Sequence, residues 1–440
     1  MTDHFLAQIT DALGPLPAGE VATVSEGELP SCFHTSDFAT ATVAAAAGEL
    51  AALTGTAAVV NRRHALMWFD MTLRPHGWEL PNLWDPLAGD YKTADGWIRL
   101  HTNAPHHRDA ALSVIKCPVD RDAVAAKVAA WPKTELETAI VAAHGCAAAM
   151  HSQTEWAGHP QGEAVAGEPL IAWQTTAQDA PPVSLAGLKV LDLTRVLAGP
   201  VATRLLAGFG ADVLRIDPPS WDELGVVPEV TLGKRCAGLD LTDAPDRATF
   251  EALLSKADVM VHGYRRDALA KLGYDTDGLR RIAPHLIDVS LNAYGHSGPW
   301  ADRRGFDSLV QMSSGIAHTG QQRAGAGKPR PLPVQALDHG TGYLIAAAVL
   351  RAIRMRNDTG VCSTARLSLA RTARLLISAG DRAFAGDGLT ETPADLAGHI
   401  EQTQWGPAQR IAFPITLDGH GPNWPLPAGP LRRHPADWDR

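Results

Sequence analysis

Residues 188–217, LKVLDLTRVLAGPVATRLLAGFGADVLRID, carry the pattern that decides the fold class. LKVLDL is a short apolar run of the kind that is buried on both faces of a sheet. PVATRLLAGFG reads as a helix, and ADVLRID returns to strand character. The same strand signature recurs in KADVMVHG (256–263) and HLIDVSLNAYG (285–295), each after a helical stretch. Strands alternating with helices at this spacing predict an α/β fold, with a Rossmann-like, mostly parallel sheet covered on both faces over residues 185–375.

Outward from that block the chain divides further. Residues 1–75 hold an Ala-rich run, ATATVAAAAGELAAL (39–53), that predicts a helix, and then AAVV (57–60) as a short strand. Residues 76–175 read as a smaller α+β domain. In it DYKTADGWIRLHTN (90–103) places Asp95-Gly96 in a tight turn between two strands. DRDAVAAKVAAW (120–131) and KTELETAIVAAHG (133–145) read as helices, the second with Gly145 as its C-cap. Pro181-Pro182 mark a linker over 176–184, and the Pro- and Trp-rich residues 376–440 predict a segment that wraps over other elements.

The 440 residues, 45% of them hydrophobic, suffice for two or three domains. A net charge of -9 argues against a nucleic-acid partner. Five cysteines, an odd number and none at metal-ligand spacing, predict a reduced, cytoplasmic setting and no metal site. No uninterrupted apolar stretch is long enough for a bilayer, so no membrane partner is expected.

Ligands of open α/β sheets sit beyond the carboxyl ends of the strands, near helix N-termini. LDLTRVLAGP (191–200) fits that place, but it is neither G-x-G-x-x-G nor G-x-x-x-x-G-K-[ST], which sets NAD and P-loop chemistry aside. Basic residues follow or lie in successive strands: Arg195, Arg215, Lys234, Arg235 and Arg265. Sharing one rim, they would form a local cationic pocket for several phosphates; singly, each reads as a surface charge. Gly295, in NAYGHSGPW (292–300), predicts a tight backbone path near a ligand or a plain rigid turn. Asp338 and His339 open the long apolar run PVQALDHGTGYLIAAAVLRAI (333–353). An acid there is a helix cap or the carboxylate of a site, and these residues alone leave both readings open. SDFATATVAAAAGELAAL (36–53) can be laid over LDHGTGYLIAAAVLRAI (337–353), with Asp37 on Asp338 and Thr40 on Thr341, as in an internal duplication.

Five ordered segments resemble the family III CoA-transferases, the family of formyl-CoA transferase, carnitine CoA-transferase and acyl-CoA racemase. They are LAGLKVLDLTRVLAGPVATRLLAGFGADVLRIDPP (185–219), LGKRCAGLDL (232–241), HGYRRDALAKLGY (262–274), SLNAYGHSGPWADRRGFDSLVQMSSG (290–315) and PVQALDHGTGYLIAAAVLRAIRMRNDTG (333–360). The resemblance implies that Asp338 is the carboxylate nucleophile. It also implies that Val196, Arg215, Lys234, Arg235 and Arg265 surround the nucleotide end of coenzyme A, a substrate and not a permanently bound cofactor. Its partners would be an acyl-CoA, a free carboxylic acid and a second copy of the chain in an interlocked homodimer. The order of parts departs from the family, because residues 76–175 look like its small domain and here precede the large one. Residues 1–75 then look like a worn copy of the nucleophile region, with Ala39 and Ala41 where the other copy has Gly340 and Gly342.

An ionised Asp beside a thioester can attack it and split one transfer into two steps through an anhydride and an aspartyl-CoA thioester. Backbone donors exposed by Gly340 would stabilise the oxyanions. Racemisation, the alternative chemistry, needs acid and base groups on opposite faces of a carbon. Racemase relatives have a His between Gly305 and Asp307, where this chain has Phe306. A third reading is a catalytically inactive CoA-binding structural protein.

Overall fold

The computed structural model describes residues 1–264 and 266–438. Its centre is one seven-stranded sheet. The strands are β1 (Ala172–Ala177), β2 (Lys189–Leu193), β3 (Asp212–Asp217), β4 (Arg235–Gly238), β5 (Val259–His262), β6 (Ile287–Asn292) and β7 (Cys362–Ser368). Their order is β4-β3-β2-β5-β6-β7-β1; β2 to β7 pair in parallel and β1 runs antiparallel along the edge. The chain winds from β2 towards β4 on one side and towards β7 on the other. The order therefore reverses between β2 and β5, where such sheets open a crevice for ligands. β2 is buried after its first residue, as a central parallel strand requires. β1 corrects the expected boundary: residues 172–177 complete the large sheet, and the linker begins only after them.

Five helices position the rest: α1 (Thr2–Leu13), α2 (Thr35–Thr54), α3 (Ala198–Gly208), α4 (Asp307–Ser313) and α5 (Ala336–Thr359). α5 is buried along nearly its whole length between α2 and α3. Its two early glycines make that approach possible. A Cβ on Gly340 would lie 2.4 Å from Phe38 Cζ of α2, and one on Gly342 would lie 2.5 Å from the Ala198 carbonyl oxygen of α3. Further along, Glu49 of α2 is fully buried against Arg351 of α5, with N–O distances of 2.9 and 2.6 Å, and Arg354 adds a contact at 2.8 Å. The remaining guanidinium donors go to the Gly14 and Pro17 carbonyls, so the buried charges are paired and hydrogen-bonded.

Residues 89–149 build a second, smaller sheet with its own helices. Strands Gly89–Lys92, Trp97–Leu100 and Ala147–Ala149 pair antiparallel, and the Thr93 N–H donates to the Gly96 carbonyl across the Asp95-Gly96 turn. Three helices cover them around a core that includes Tyr91, Ile98, Val124 and Leu136. One detail differs: the helix Lys133–Ala142 ends at Ala143, and His144, not Gly145, takes the left-handed conformation (φ 66°).

The C-terminal residues form an ordered wrap. Ile415–Leu417 pairs with Ala58–Asn61, the strand expected after α2, and Gly406–Arg410 pairs with Leu73–Pro75. Arg410 and Arg204 both bind the buried Glu229, joining the wrap, α3 and the N-terminal region. No described helix is long and apolar enough to cross a membrane.

Removing Glu49 would leave two buried guanidinium groups without a counter-charge. Glu49→Ala is expected to lower the unfolding free energy by roughly 3–5 kcal/mol in denaturant titrations. A loss under about 1 kcal/mol would show that the α2–α5 contact does not depend on this pairing.

Candidate active site

Asp338 lies in the first turn of α5 and is largely buried. The donors of that turn do not serve it. The backbone N–H groups of Leu337 and Asp338 donate to Asp307 Oδ2 at 2.9 and 3.0 Å, so the Asp307 carboxylate caps the helix. Gln311 holds the other Asp307 oxygen, and its own Oε1 accepts from the Leu332 N–H at 2.7 Å. Among the described residues no donor meets the Asp338 carboxylate itself.

Burial, and then the charge of Asp307, push the Asp338 pKa well above the usual carboxylate range. Burial also raises Asp307, to about 6, although the Asp338 N–H, Gln311 and the Leu337 N–H favour its anion. The helix N-terminus therefore gives no support to an ionised Asp338, because its neighbour takes the donors. On Gly340 the Cα face without a side chain lies against the Phe38 ring.

Asp338 forms part of two cavities. One, of about 500 Å³, opens along the carboxyl edge of the sheet, over the ends of β2, β5 and β6. The other, an inner chamber of about 240 Å³, is walled by Phe69, Trp84, Val201, Phe306 and Leu332. Phe306 and Val196 border both. His339 faces the chamber, stacked on Phe69 with ring centroids 5.2 Å apart. Burial, and then Arg204, depress its pKa to about 3, so it is a neutral ring at physiological pH.

Two of the residues expected to bind the ligand, Arg195 from the cationic rim and Val196 from the nucleotide end, are at the edge cavity. Arg195 lies between Trp221 and Tyr264, 4.5 and 5.1 Å from their ring centroids, and donates to the Tyr264 hydroxyl at 3.2 Å. Val196 has φ 64°, and its N–H donates to Glu223 Oε2 at 2.9 Å. The shared cationic rim is corrected for three others. Arg215 is fully buried and bidentate to Asp217 at 2.8 and 3.0 Å, with a further bond to Glu223. Lys234 is fully buried, 2.9 Å from Asp192 and 3.0 Å from the Pro200 carbonyl. Arg235 binds both oxygens of Asp212 at 3.0 Å, at the amino end of β3 and so on the far side of the sheet from the cavity. Arg265 lies outside the described residues. Gly295 (φ 104°) is in a rigid turn: its N–H donates to Asn292 Oδ1, and the His296 and Ser297 N–H groups donate to Glu168 Oε1.

The basic groups that do line the edge cavity include Arg303, Arg304 and His106. Sequence reasoning missed them, along with Trp221, Glu223 and Asp307. The Arg303-Arg304 pair beside Gly305 was the one local signal available. No group of described residues has the makings of a metal site. Asp37 touches neither cavity. Burial acts to raise its pKa, but the Thr2 hydroxyl at 2.9 Å and Arg62 at 3.2 Å outweigh it and hold the group below the usual carboxylate range.

Residues 185–386 match the profile of CoA-transferase family III. A probable fatty acyl-CoA transferase of Mycobacterium tuberculosis is 32% identical over 203 residues, 43% of this chain and 51% of the relative. A succinate–glutarate CoA-transferase of Agrobacterium fabrum is 34% identical over 198 residues, 40% of this chain and 49% of the relative. The chain thus spans about half the length of these curated relatives. A crystal structure of a CaiB/BaiF family protein from Brucella suis is 26% identical, covers 54% of this chain and 66% of its own, and has a TM-score of 0.40.

The Asp307 pKa of about 6 has a stability consequence of definite sign. The folded chain keeps this proton after the unfolded chain has lost it, so the contribution of Asp307 is full below the ordinary carboxyl pKa and is lost as pH rises through about 6. Asp307→Asn retains an acceptor for the cap and removes the titration. Denaturant titrations should show wild type losing on the order of 1–3 kcal/mol relative to this variant between acid and neutral pH. A difference independent of pH would contradict the raised value.

Proposed function

We propose that the chain moves coenzyme A from an acyl-CoA thioester to a free carboxylic acid, with Asp338 as the nucleophile, a reading supported by the match of residues 185–386 to CoA-transferase family III. The observation that carries the proposal is the position of Asp338. Asp338 lines both a cavity at the carboxyl edge of the sheet and a chamber whose walls include Phe69, Trp84, Val201 and Leu332. The edge cavity has the place and the cationic lining for the nucleotide and pantetheine of coenzyme A, and the chamber suits an acyl group.

In this reading a carboxylate oxygen of Asp338 attacks the thioester carbonyl. The C–S bond breaks, giving an acyl-aspartyl anhydride and coenzyme A thiolate. The thiolate attacks the aspartyl carbonyl and expels the first acid as its carboxylate, leaving an aspartyl-CoA thioester. An incoming carboxylate attacks that thioester and regenerates an anhydride and the thiolate. The thiolate then takes the new acyl group, and Asp338 is again a carboxylate. The first attack needs the ionised form of Asp338, which burial and Asp307 disfavour, so the anion that forms is poorly stabilised and correspondingly nucleophilic. Neutral His339 adds no competing charge. Racemisation is the weaker reading, because the Phe306 ring beside Asp338 cannot exchange a proton.

The small-domain residues Trp84, Arg99 and His101 reach the Asp338 chamber within one chain.

Mixing the protein with a panel of acyl-CoAs should give a covalent adduct by intact mass that hydroxylamine removes. Asp338→Asn should abolish it while changing coenzyme A affinity by no more than about tenfold. Asp37→Asn should keep it. An adduct that persists in Asp338→Asn discards the assignment, and tight CoA binding with no adduct across the panel favours the inactive CoA-binding reading.

A further inference from the structure

The inner chamber does not end at its walls. A third cavity, of about 300 Å³, shares Leu83, Trp84, His101, Asn103, Val226 and Phe306 with it and leads outward between residues 82–85 and 221–226. The outer rim carries exposed apolar side chains beside the polar Asn82, Asn103 and Asp222. Leu83, Trp84 and Leu224 are 37, 37 and 66% exposed, three of the seven large hydrophobic side chains that the described chain leaves in solvent. Such residues scattered singly need no explanation, but three at the mouth of a passage to the nucleophile do.

Both walls of the passage are pinned. On one side Glu223 accepts from the Val196 N–H and from Trp221 Nε1, each at 2.9 Å, and from Arg215. On the other, Asp85 accepts from the Thr102 hydroxyl at 2.8 Å, and Asn103 donates to the Leu83 carbonyl at 3.0 Å. The walls touch at Gly225, where a Cβ would come within 2.7 Å of the Asn82 carbonyl oxygen. The opening is thus a built feature of two hydrogen-bonded loops.

We propose, resting on the CoA-transferase reading, that the acyl group handled here is a long apolar chain. Its carboxyl end lies at Asp338, and its tail leaves through this passage to rest against Leu83, Trp84 and Leu224. The chamber alone, at about 240 Å³, falls below the usual range of ligand pockets, whereas chamber and passage together reach it. Charge argues the same way. A short diacid would need an unpaired cation in the chamber, and the two arginines that line it are engaged: Arg99 with Asp90 at 2.8 Å and Arg204 with Glu229 at 3.0 Å.

Calorimetric titration with unreactive thioether analogues of acyl-CoA, with free coenzyme A as reference, tests this. Wild type should bind the dodecyl analogue at least about tenfold more tightly than the butyl analogue. The Leu83→Asp/Leu224→Asp double variant, altered at exposed positions, should reduce that gain to roughly threefold or less. Equal affinity for the two analogues in wild type overturns the proposal without needing the variant, and so does a double variant that keeps the full gain. In either case bound free coenzyme A leaves the transferase reading standing, whereas a failure to bind coenzyme A at all removes both.

Discussion

The constraint on which the site depends is the close passage of α5 between α2 and α3. A helix buried on all sides must reach its neighbours without side chains in the way, and Gly340 and Gly342 supply that at the two tightest points. Glycine inside a helix costs about 1 kcal/mol relative to alanine, so the close contact has to return more than that. It is anchored farther along by Glu49 and Arg351, both fully buried. With the helix fixed at both ends of its buried length, its first turn has one position, and Asp338 has one place to stand.

That place is electrostatically awkward, and the awkwardness is informative. A helix N-terminus is a natural site for an anion, yet here Asp307 occupies it and leaves Asp338 without donors. Two buried carboxylates so close cannot both ionise easily. If stability were the sole demand, one of them would be an amide or an apolar residue. A carboxylate left without donors, open to two cavities, is the arrangement expected where a nucleophile has to meet an incoming electrophile.

The fold was legible where local pattern and tertiary demand agree. The β2-α3-β3 unit, the Asp95-Gly96 hairpin and α5 all follow from periodicity and turn chemistry. β1 was split between the smaller domain and the linker because its partner, β7, lies far along the chain and the strand has a polar middle. The C-terminal wrap shows the same effect, since its strands pair with residues near the N-terminus and carry little pattern of their own. Within the site, the place of Asp338 ahead of an apolar run left cap and site readings open, and only the family resemblance singled it out. The cations misled, because a basic residue beside a strand looks the same whether it faces a ligand or a buried acid. For Arg215 a signal existed: Asp217 is two residues on, hence on the same face of β3. For Lys234 there was none, because Asp192 comes to it from another strand.

Arg215 still bears on the site, at one remove. Its guanidinium orients Glu223, and Glu223 holds the Val196 N–H. Val196 is β-branched and sits at φ 64°, a conformation that costs about 1–3 kcal/mol and persists only when its surroundings impose it. The same loop carries Trp221, which packs on Arg195 at the edge cavity. A relaxed backbone at residue 196 would turn its side chain away from the point where edge cavity, chamber and passage meet. The buried ion pair at the end of β3 therefore does not bind the ligand. It stabilises the strained turn that separates the three spaces a ligand would occupy.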